Sequence, residues 1–289
     1  MTMSTVQKAL RAGADALKGH HCKGSHAQKD AEILLAKATG LRREDFIVDP
    51  NHKLSTNNLR CFQTLLRRRA KHEPLAYLTG TAWFRGREFF VSRHTLIPRW
   101  ATEHMVIAAL AAAPNTDIVF DVGTGSGCIA ISLAAELPNA HVIAVDRSAN
   151  ALVMARKNAR RHAMTDRIRF KYGDLLASTE RSLASASQPL IVANLPYLPS
   201  SMIAKLSTDI RDYEPSSALD GGNDGLDLYR KMLDQLASIR PQGGFMLAAE
   251  MLSEQYVDLK KIIDNVFPSA KINRIKNYEG ITIGLLART

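Results

Sequence analysis

Cysteine is scarce in this 289-residue sequence, and what there is does not pair. Cys22, Cys61 and Cys128 are far apart, odd in number and form no CxxC, which argues against both a disulfide framework and a thiolate zinc site. No apolar run reaches the roughly 18 residues needed to span a bilayer. The basic N-terminal stretch MTMSTVQKALRAGADALKGHHCKG lacks the apolar core of a signal peptide. The nine histidines show no HExxH or related spacing, and His20–His21 reads as a solvated loop. No metal and no membrane partner are therefore expected. Internal repeats are lacking, and the one low-complexity patch, STERSLASASQ from Ser178, is expected to be a surface loop. The acid–base–apolar pattern after the N-terminus points to a cytoplasmic protein, with a monomer as the working expectation.

What is abundant is positive charge, and it is uneven. The net charge is +10, and residues 1–85 hold 15 Lys+Arg against 7 Asp+Glu. The run Arg67-Arg68-Arg69 with Lys71 concentrates it. Such a module suits an acidic partner, RNA or an acidic protein face, while a solvated helix face is the plain alternative.

Residues 1–82 read as a small helical domain. DAEILLAKATG puts Ala31, Leu34, Leu35 and Ala38 at helical spacing, and Gly40 stops the helix. A second helix is capped by Ser55, carries Leu59, Phe62, Leu65 and Leu66 on one stripe, and ends at Pro74. Residues 83–116 read as a linker: REFFVSRHTLIP suggests a hairpin or linker strands, and ATEHMVIAALAAA a helix. From Asp117 to residue 289 strands and helices alternate. The fold class is α/β, a seven-stranded, mostly parallel open sheet with helices on both faces. The last two strands, KINRIKNY and ITIGLLA, are joined by a short turn, so one is expected to be antiparallel at the sheet edge.

The chemistry collects at strand ends, where ligands of such sheets bind. DVGTGSGCIA follows the first strand. Gly123, Gly125 and Gly127, with Thr124 and Ser126 between them, expose amides at a helix N-terminus. A tight turn needs one glycine, not three, but a nicotinamide cofactor, a nucleotide or S-adenosylmethionine would each fit. The second strand ends in Asp146, suited to accept two ribose hydroxyls. The third ends in GDLL, where Asp174 can accept an adenine amino group and Leu175 can pack on its ring. A third acid is foreign to the dehydrogenase pattern, and the set favours S-adenosylmethionine. The fourth strand ends in Asn194-Leu195-Pro196-Tyr197. An amide or ring-amino nitrogen is a poor nucleophile because its lone pair is delocalised. The Asn194 oxygen, also near the cofactor, and the Leu195 carbonyl can accept its two N–H bonds and orient it. Tyr197 can pack on the flat group.

The chain resembles the HemK-type protein-(glutamine-N5) methyltransferases. The resemblance rests on DAEILLAKATG, RRRAKHEPLAYLTGTAWFRGREFFVSRHTLIPR, DVGTGSGCIAISLA, the Asp146 strand end, NLPY and EPSSALDGGNDGLDLYRKML. It implies a Rossmann-like class I methyltransferase sheet and methylation of the Gly-Gly-Gln glutamine of peptide-chain release factors. It further implies that Gly123 to Gly127 and Asp146 hold S-adenosylmethionine, and that Asn194 to Tyr197 hold the glutamine. The helical domain would help grip the release factor. Arg99 and Glu103 match the family's Ile-Pro-Arg-Pro-[Asp/Glu]-Thr-Glu segment and would shape the pocket mouth, or serve packing. Two residues depart from the family pattern. Leu195 replaces the usual Pro, keeping the carbonyl but losing the fixed φ. Trp100 and Ala101 replace a Pro and an acid, and the Trp100 ring could narrow the mouth or stack on substrate.

NLPY is also the form seen in ribosomal-RNA adenine N6-dimethyltransferases, which a basic chain would suit. Their glycines lie near the N-terminus with a helical domain after the core, the reverse of the order here. A ribosomal-protein glutamine is a further alternative substrate, and a non-catalytic binding protein is a third reading.

Overall fold

The computed structural model describes residues 4–19 and 24–289; the His20–His21 pair and Cys22 lie outside the described residues. The chain divides into two compact units, residues 1–81 with 207–213, and residues 82–206 with 214–289.

The first unit is helical. It contains α1 (Val6–Leu17), α2 (Gly24–Thr39), α3 (Arg43–Val48), α4 (Thr56–Ala70) and α5 (Leu75–Thr79). Its core joins Val6, Leu17, Ala31, Leu34, Leu35, Phe62, Leu65 and Leu66, which includes most of the two stripes anticipated above. Ser55 does cap α4, accepting from Asn58 N. The helix stops at Lys71, short of Pro74, which instead precedes α5. Within the basic triplet, Arg68 pairs with Glu73 and Arg69 with Asp30.

The second unit opens on a two-stranded hairpin, β1 (Thr81–Phe84) and β2 (Arg87–Phe90). The hairpin therefore sits earlier than REFFVSRHTLIP suggested. Its tip, Arg85-Gly86, has both φ positive, as a two-residue turn matched to strand twist demands. Residues 91–99 form neither helix nor strand. α6 (Trp100–Ala112) follows, and then the large sheet with β3 (Ile118–Val122), β4 (His141–Asp146), β5 (Ile168–Tyr172), β6 (Leu190–Ala193), β7 (Met246–Glu250), β8 (Lys271–Lys276) and β9 (Thr282–Arg288). The connecting helices are α7 (Cys128–Glu136), α8 (Ala149–Arg161), α9 (Glu180–Ala184), α10 (Ser200–Ile203), α12 (Asp227–Ile239) and α13 (Tyr256–Val266); α11 (Thr208–Arg211) belongs to the first unit.

The strand order is β5-β4-β3-β6-β7-β9-β8. The first five strands are parallel, and β9 runs antiparallel to both neighbours. The antiparallel strand is thus interior, between β7 and β8, and β8 is the edge. A short turn from β8 lets β9 fold back into the gap beside β7. β6 reads as a continuous apolar run and β3 and β4 as nearly so, Asp121 being the exception inside β3, because helices cover both faces. Phe120, Val122, Ile143, Val145, Ile191 and Leu247 face α12 and α13, while Val119, Val142, Ala144, Val192 and Ala248 face α6 and α7. STERSLASASQ is not a surface loop. It contributes α9 and buries Thr179, Leu183 and Ala186, so its apolar letters anchor the helix to the core.

Tyr229 of α12 is fully buried, and its one hydroxyl hydrogen is shared between the carbonyls of Ala193 and Glu250 at the ends of β6 and β7. Tyr229→Phe strands those carbonyls and is expected to cost roughly 1–3 kcal/mol of unfolding free energy in urea titration.

Candidate active site

The carboxyl ends of β3, β4 and β6 lie at one level, since Val122 pairs with Val145 on one side and with Ala193 on the other. There the strand order reverses, and a crevice opens between the loops that leave the strands. A cleft of about 970 Å³, counting its open mouth, is lined by the glycine loop, Asp146, Asp174, Leu175 and Asn194 to Pro196.

The glycine loop owes its shape to Asp121, one residue before the end of β3. Its carboxylate is fully buried and accepts from Thr124 Oγ1 at 2.6 Å and from Ala130 N at 3.0 Å. One acid thus pins the loop and serves the start of α7. Burial pushes its pKa up to about 7, against these two hydrogen bonds. Gly127 sits at φ +81°, and a Cβ there would lie 3.1 Å from that of Ala155, so this glycine serves the contact of α7 with α8. A Cβ on Gly125 would meet only Gly123 O at 3.9 Å, so this is the glycine that leaves the cleft open.

Asp146 is held by two backbone donors, Gly125 N to Oδ2 and Ser148 N to Oδ1, each at 2.8 Å. Burial raises its pKa, opposed by those bonds. Its orientation is fixed, and the remaining lone pairs of an acceptor-only group can take two hydroxyl donors. Asp174 lies at the cleft, but its carboxylate is paired with Lys231. Leu175 is buried, at φ +56°.

Asn194 and Leu195 leave β6 beside this loop. Asn194 Nδ2 donates to Thr102 Oγ1 of α6 at 3.0 Å. Leu195 is buried, and its Cδ2 stands 3.2 Å from where a Gly123 Cβ would be. Pro196 lines the cleft, whereas Tyr197 turns away from it and donates to Glu250 Oε1 at 3.0 Å. Gln255 donates to the Tyr197 carbonyl at 2.8 Å and to the Asp224 carbonyl at 2.9 Å, bracing the turn. Gly225 at φ +81° is required there, because a Cβ would come within 2.1 Å of Tyr197 O.

Arg99 lines the cleft and is paired with Glu214, which also accepts from Ile97 N at 3.1 Å. Glu103 is elsewhere: it accepts from Arg85 N at 2.7 Å and holds the hairpin tip. Trp100 does not line the cleft. Its ring stacks edge-on to His104 at 4.3 Å and stays half exposed. The sequence reading passed over Thr102, Glu250, Glu214 and Gln255. Glu250 ends the fifth strand, so following strand ends one step further would have found it.

Among the described residues no group of three or more His, Cys, Asp or Glu is arranged to hold a metal ion, and no helix is long and apolar enough to cross a membrane.

Residues 8–80 match the PrmC N-terminal domain, and residues 115–273 match a methyltransferase domain. The chain is 40% identical over 222 residues to a release factor glutamine methyltransferase of Geobacter sulfurreducens, covering 77% of this chain and 76% of that one. It is 40% identical over 231 residues to one from Nitratidesulfovibrio vulgaris, covering 77% of each. With one from Chlorobaculum tepidum it shares 34% over 263 residues, 88% of each chain. The chain belongs to the release factor glutamine methyltransferase family. Among solved structures, the hMettl16 catalytic domain in complex with MAT2A 3'UTR hairpin 1 superposes with TM-score 0.57 at 14% identity, covering 70% of this chain and 74% of that one. That likeness concerns the class I methyltransferase fold.

Asp121 makes stability depend on pH in a definite direction. An acid whose folded pKa exceeds its ordinary 3.8 contributes stability that is full below that value and lost as pH rises through about 7. Asp121→Asn keeps an oxygen for Thr124 and Ala130 but cannot ionise. The unfolding free energy of the wild type relative to Asp121→Asn is expected to fall between pH 4 and 7 and level off above, as read by urea titration at each pH.

Proposed function

We propose that the protein transfers a methyl group from S-adenosylmethionine to the side-chain amide nitrogen of the Gly-Gly-Gln glutamine of a peptide-chain release factor. The observation that carries this reading is that Asn194 opens on the same cleft as the glycine loop and Asp146. Family membership narrows the planar nitrogen to a protein glutamine. The order of units, helical first and sheet second, agrees with it.

The donor set fits the cofactor. Gly125 leaves room for it, and Asp146 offers a fixed carboxylate for ribose hydroxyls. Asp174 and Leu175 are suited to the adenine side of the cleft, with Lys231 to be displaced or shared at Asp174. When bound, S-adenosylmethionine supplies an electrophilic methyl group on a sulfonium. The chain's own part is to hold the glutamine nitrogen in line. The Asn194 amide oxygen and the Leu195 carbonyl accept its two N–H bonds, which stops the amide rotating and favours charge growth on nitrogen. Pro196 stiffens the turn, and Tyr197 supports it from behind through Glu250 rather than by stacking on the substrate. One N–H proton passes to water after transfer, because both partners are amide oxygens too weakly basic to keep it.

In this reading the helical domain, residues 1–82, grips the release factor, and the sheet domain from residue 117 carries the chemistry. The segment leading into α6 and α6 itself supply Arg99 and Thr102 to the cleft side. Pairing of Arg68 and Arg69 within the helical unit reduces the positive charge available to phosphates there. The protein is proposed to work as a cytoplasmic monomer.

Purified protein is expected to transfer labelled methyl to a release factor, and changing the Gly-Gly-Gln glutamine to abolish labelling. Label found only on ribosomal RNA overturns the reading. Asn194→Ala is expected to lower turnover on the order of a hundredfold while cofactor affinity stays within about threefold, read by initial rates and calorimetry.

A further inference from the structure

The Asn194 side chain can serve the substrate nitrogen only in one of its two amide orientations. With its oxygen to the cleft it accepts the glutamine N–H; flipped, it presents a donor to a donor. The two orientations have almost the same shape, so packing alone discriminates poorly between them, and hydrogen-bond partners must decide.

The residues behind Asn194 are arranged to decide it. Nδ2 donates to Thr102 Oγ1 at 3.0 Å. A hydroxyl could serve either orientation, as donor or acceptor, so Thr102 by itself is not enough. The next group is the Glu250 carboxylate at the end of β7, 1% exposed. The Tyr197 hydroxyl is hydrogen-bonded to it, and the side-chain donors of Thr102 and Asn194 stand near enough to stabilise its charge. Tyr197 Oη donates to Oε1 at 3.0 Å, while Oε2 has no hydrogen-bond partner among the described residues. An ionised carboxylate only accepts. It therefore draws the Thr102 proton toward itself, and Thr102 must then accept from Asn194.

We propose that Thr102 and Glu250 are positioning residues that lock the Asn194 amide with its nitrogen inward and its oxygen toward the cleft. The inference rests on the proposed function and adds to it what holds the clamp in its working orientation. It also explains the inward turn of Tyr197, whose hydroxyl fixes the carboxylate from the other side.

The lock depends on the charge of Glu250. Burial pushes its pKa up to about 7, against the nearby donors of Thr102, Tyr197 and Asn194 and the attraction of Arg99. The titratable or charged groups facing it are Tyr197 after β6, Arg99 before α6 and Tyr229 of α12; its partner across the ladder in β9 is Gly284. Both tyrosines are pushed above their ordinary range and stay neutral. Once protonated, Glu250 offers a donor of its own, and Thr102 is no longer compelled to accept from Asn194. Turnover is lost as pH falls through about 7.

The test is methyl transfer to a release factor at saturating S-adenosylmethionine, with cofactor affinity measured separately by calorimetry. Thr102→Val, nearly isosteric, is expected to lower kcat about tenfold with cofactor Kd within about twofold, and Thr102→Ser to recover to within about threefold of wild type. Glu250→Gln, which cannot ionise, is expected to flatten the acid limb of kcat that the wild type shows near pH 7. Equal kcat for Thr102→Val and wild type overturns the lock, as does a parallel loss of cofactor affinity. An acid limb unchanged in Glu250→Gln does the same, and this variant decides if Thr102→Val fails to fold. A wild type that leaves the release factor unlabelled overturns the proposed function, and the lock with it.

Discussion

Everything at the cleft depends on β3 having parallel neighbours on both sides. Its pairing with β4 and with β6 in register brings three strand ends to one level. The chain leaves those ends in different directions, because the strand order reverses at β3. The gap so created needs no lid or second subunit to exist. Asp121 turns that gap into a shaped site, since one buried carboxylate fixes both the Thr124 turn and the first residues of α7. The proposed cofactor side and nitrogen side of the cleft are thus two consequences of one piece of backbone geometry.

Two acids are buried beneath the cleft, Asp121 and Glu250, and burial raises the pKa of both. Neither gains the full compensation that a buried charge requires: among the described residues Asp121 Oδ1 and Glu250 Oε2 have no hydrogen-bond partner. Apolar residues at these positions would relieve that desolvation cost. Their presence makes sense through what they orient. Asp121 shapes the loop proposed to face the cofactor, and Glu250 stands behind the loop proposed to face the substrate. The division of labour follows from the strand each one ends.

Much of this was legible in the sequence because it is local. Short apolar runs alternating with helical patterns mark the strands of the large sheet, and Gly123 to Gly127, Asp146 and Asn194 each follow or end a strand at a readable distance. The misreadings share a cause, which is contact at long sequence separation. β9 sits between β7 and β8 although it follows β8 in the chain. STERSLASASQ looks like a polar loop until Leu183 and Thr179 are seen buried. Thr102 is 92 residues from Asn194, and Glu250 is 53 from Tyr197, so no spacing rule connects them. In the sequence, Trp100 suggests a ring that narrows the pocket mouth or stacks on substrate, and Tyr197 one that packs on the flat group. One stacks on His104 at the surface, and the other turns its hydroxyl inward.

The central claim is that one cleft holds the cofactor through Asp146 and the substrate nitrogen through Asn194. A crystal structure of the protein with S-adenosylhomocysteine and a release-factor domain measures this directly. The account predicts the ribose hydroxyls on the Asp146 carboxylate, with the Asn194 amide oxygen and the Leu195 carbonyl on the two hydrogens of the glutamine nitrogen. A glutamine bound outside the cleft, or a ribose held by other residues with Asp146 unused, would contradict it.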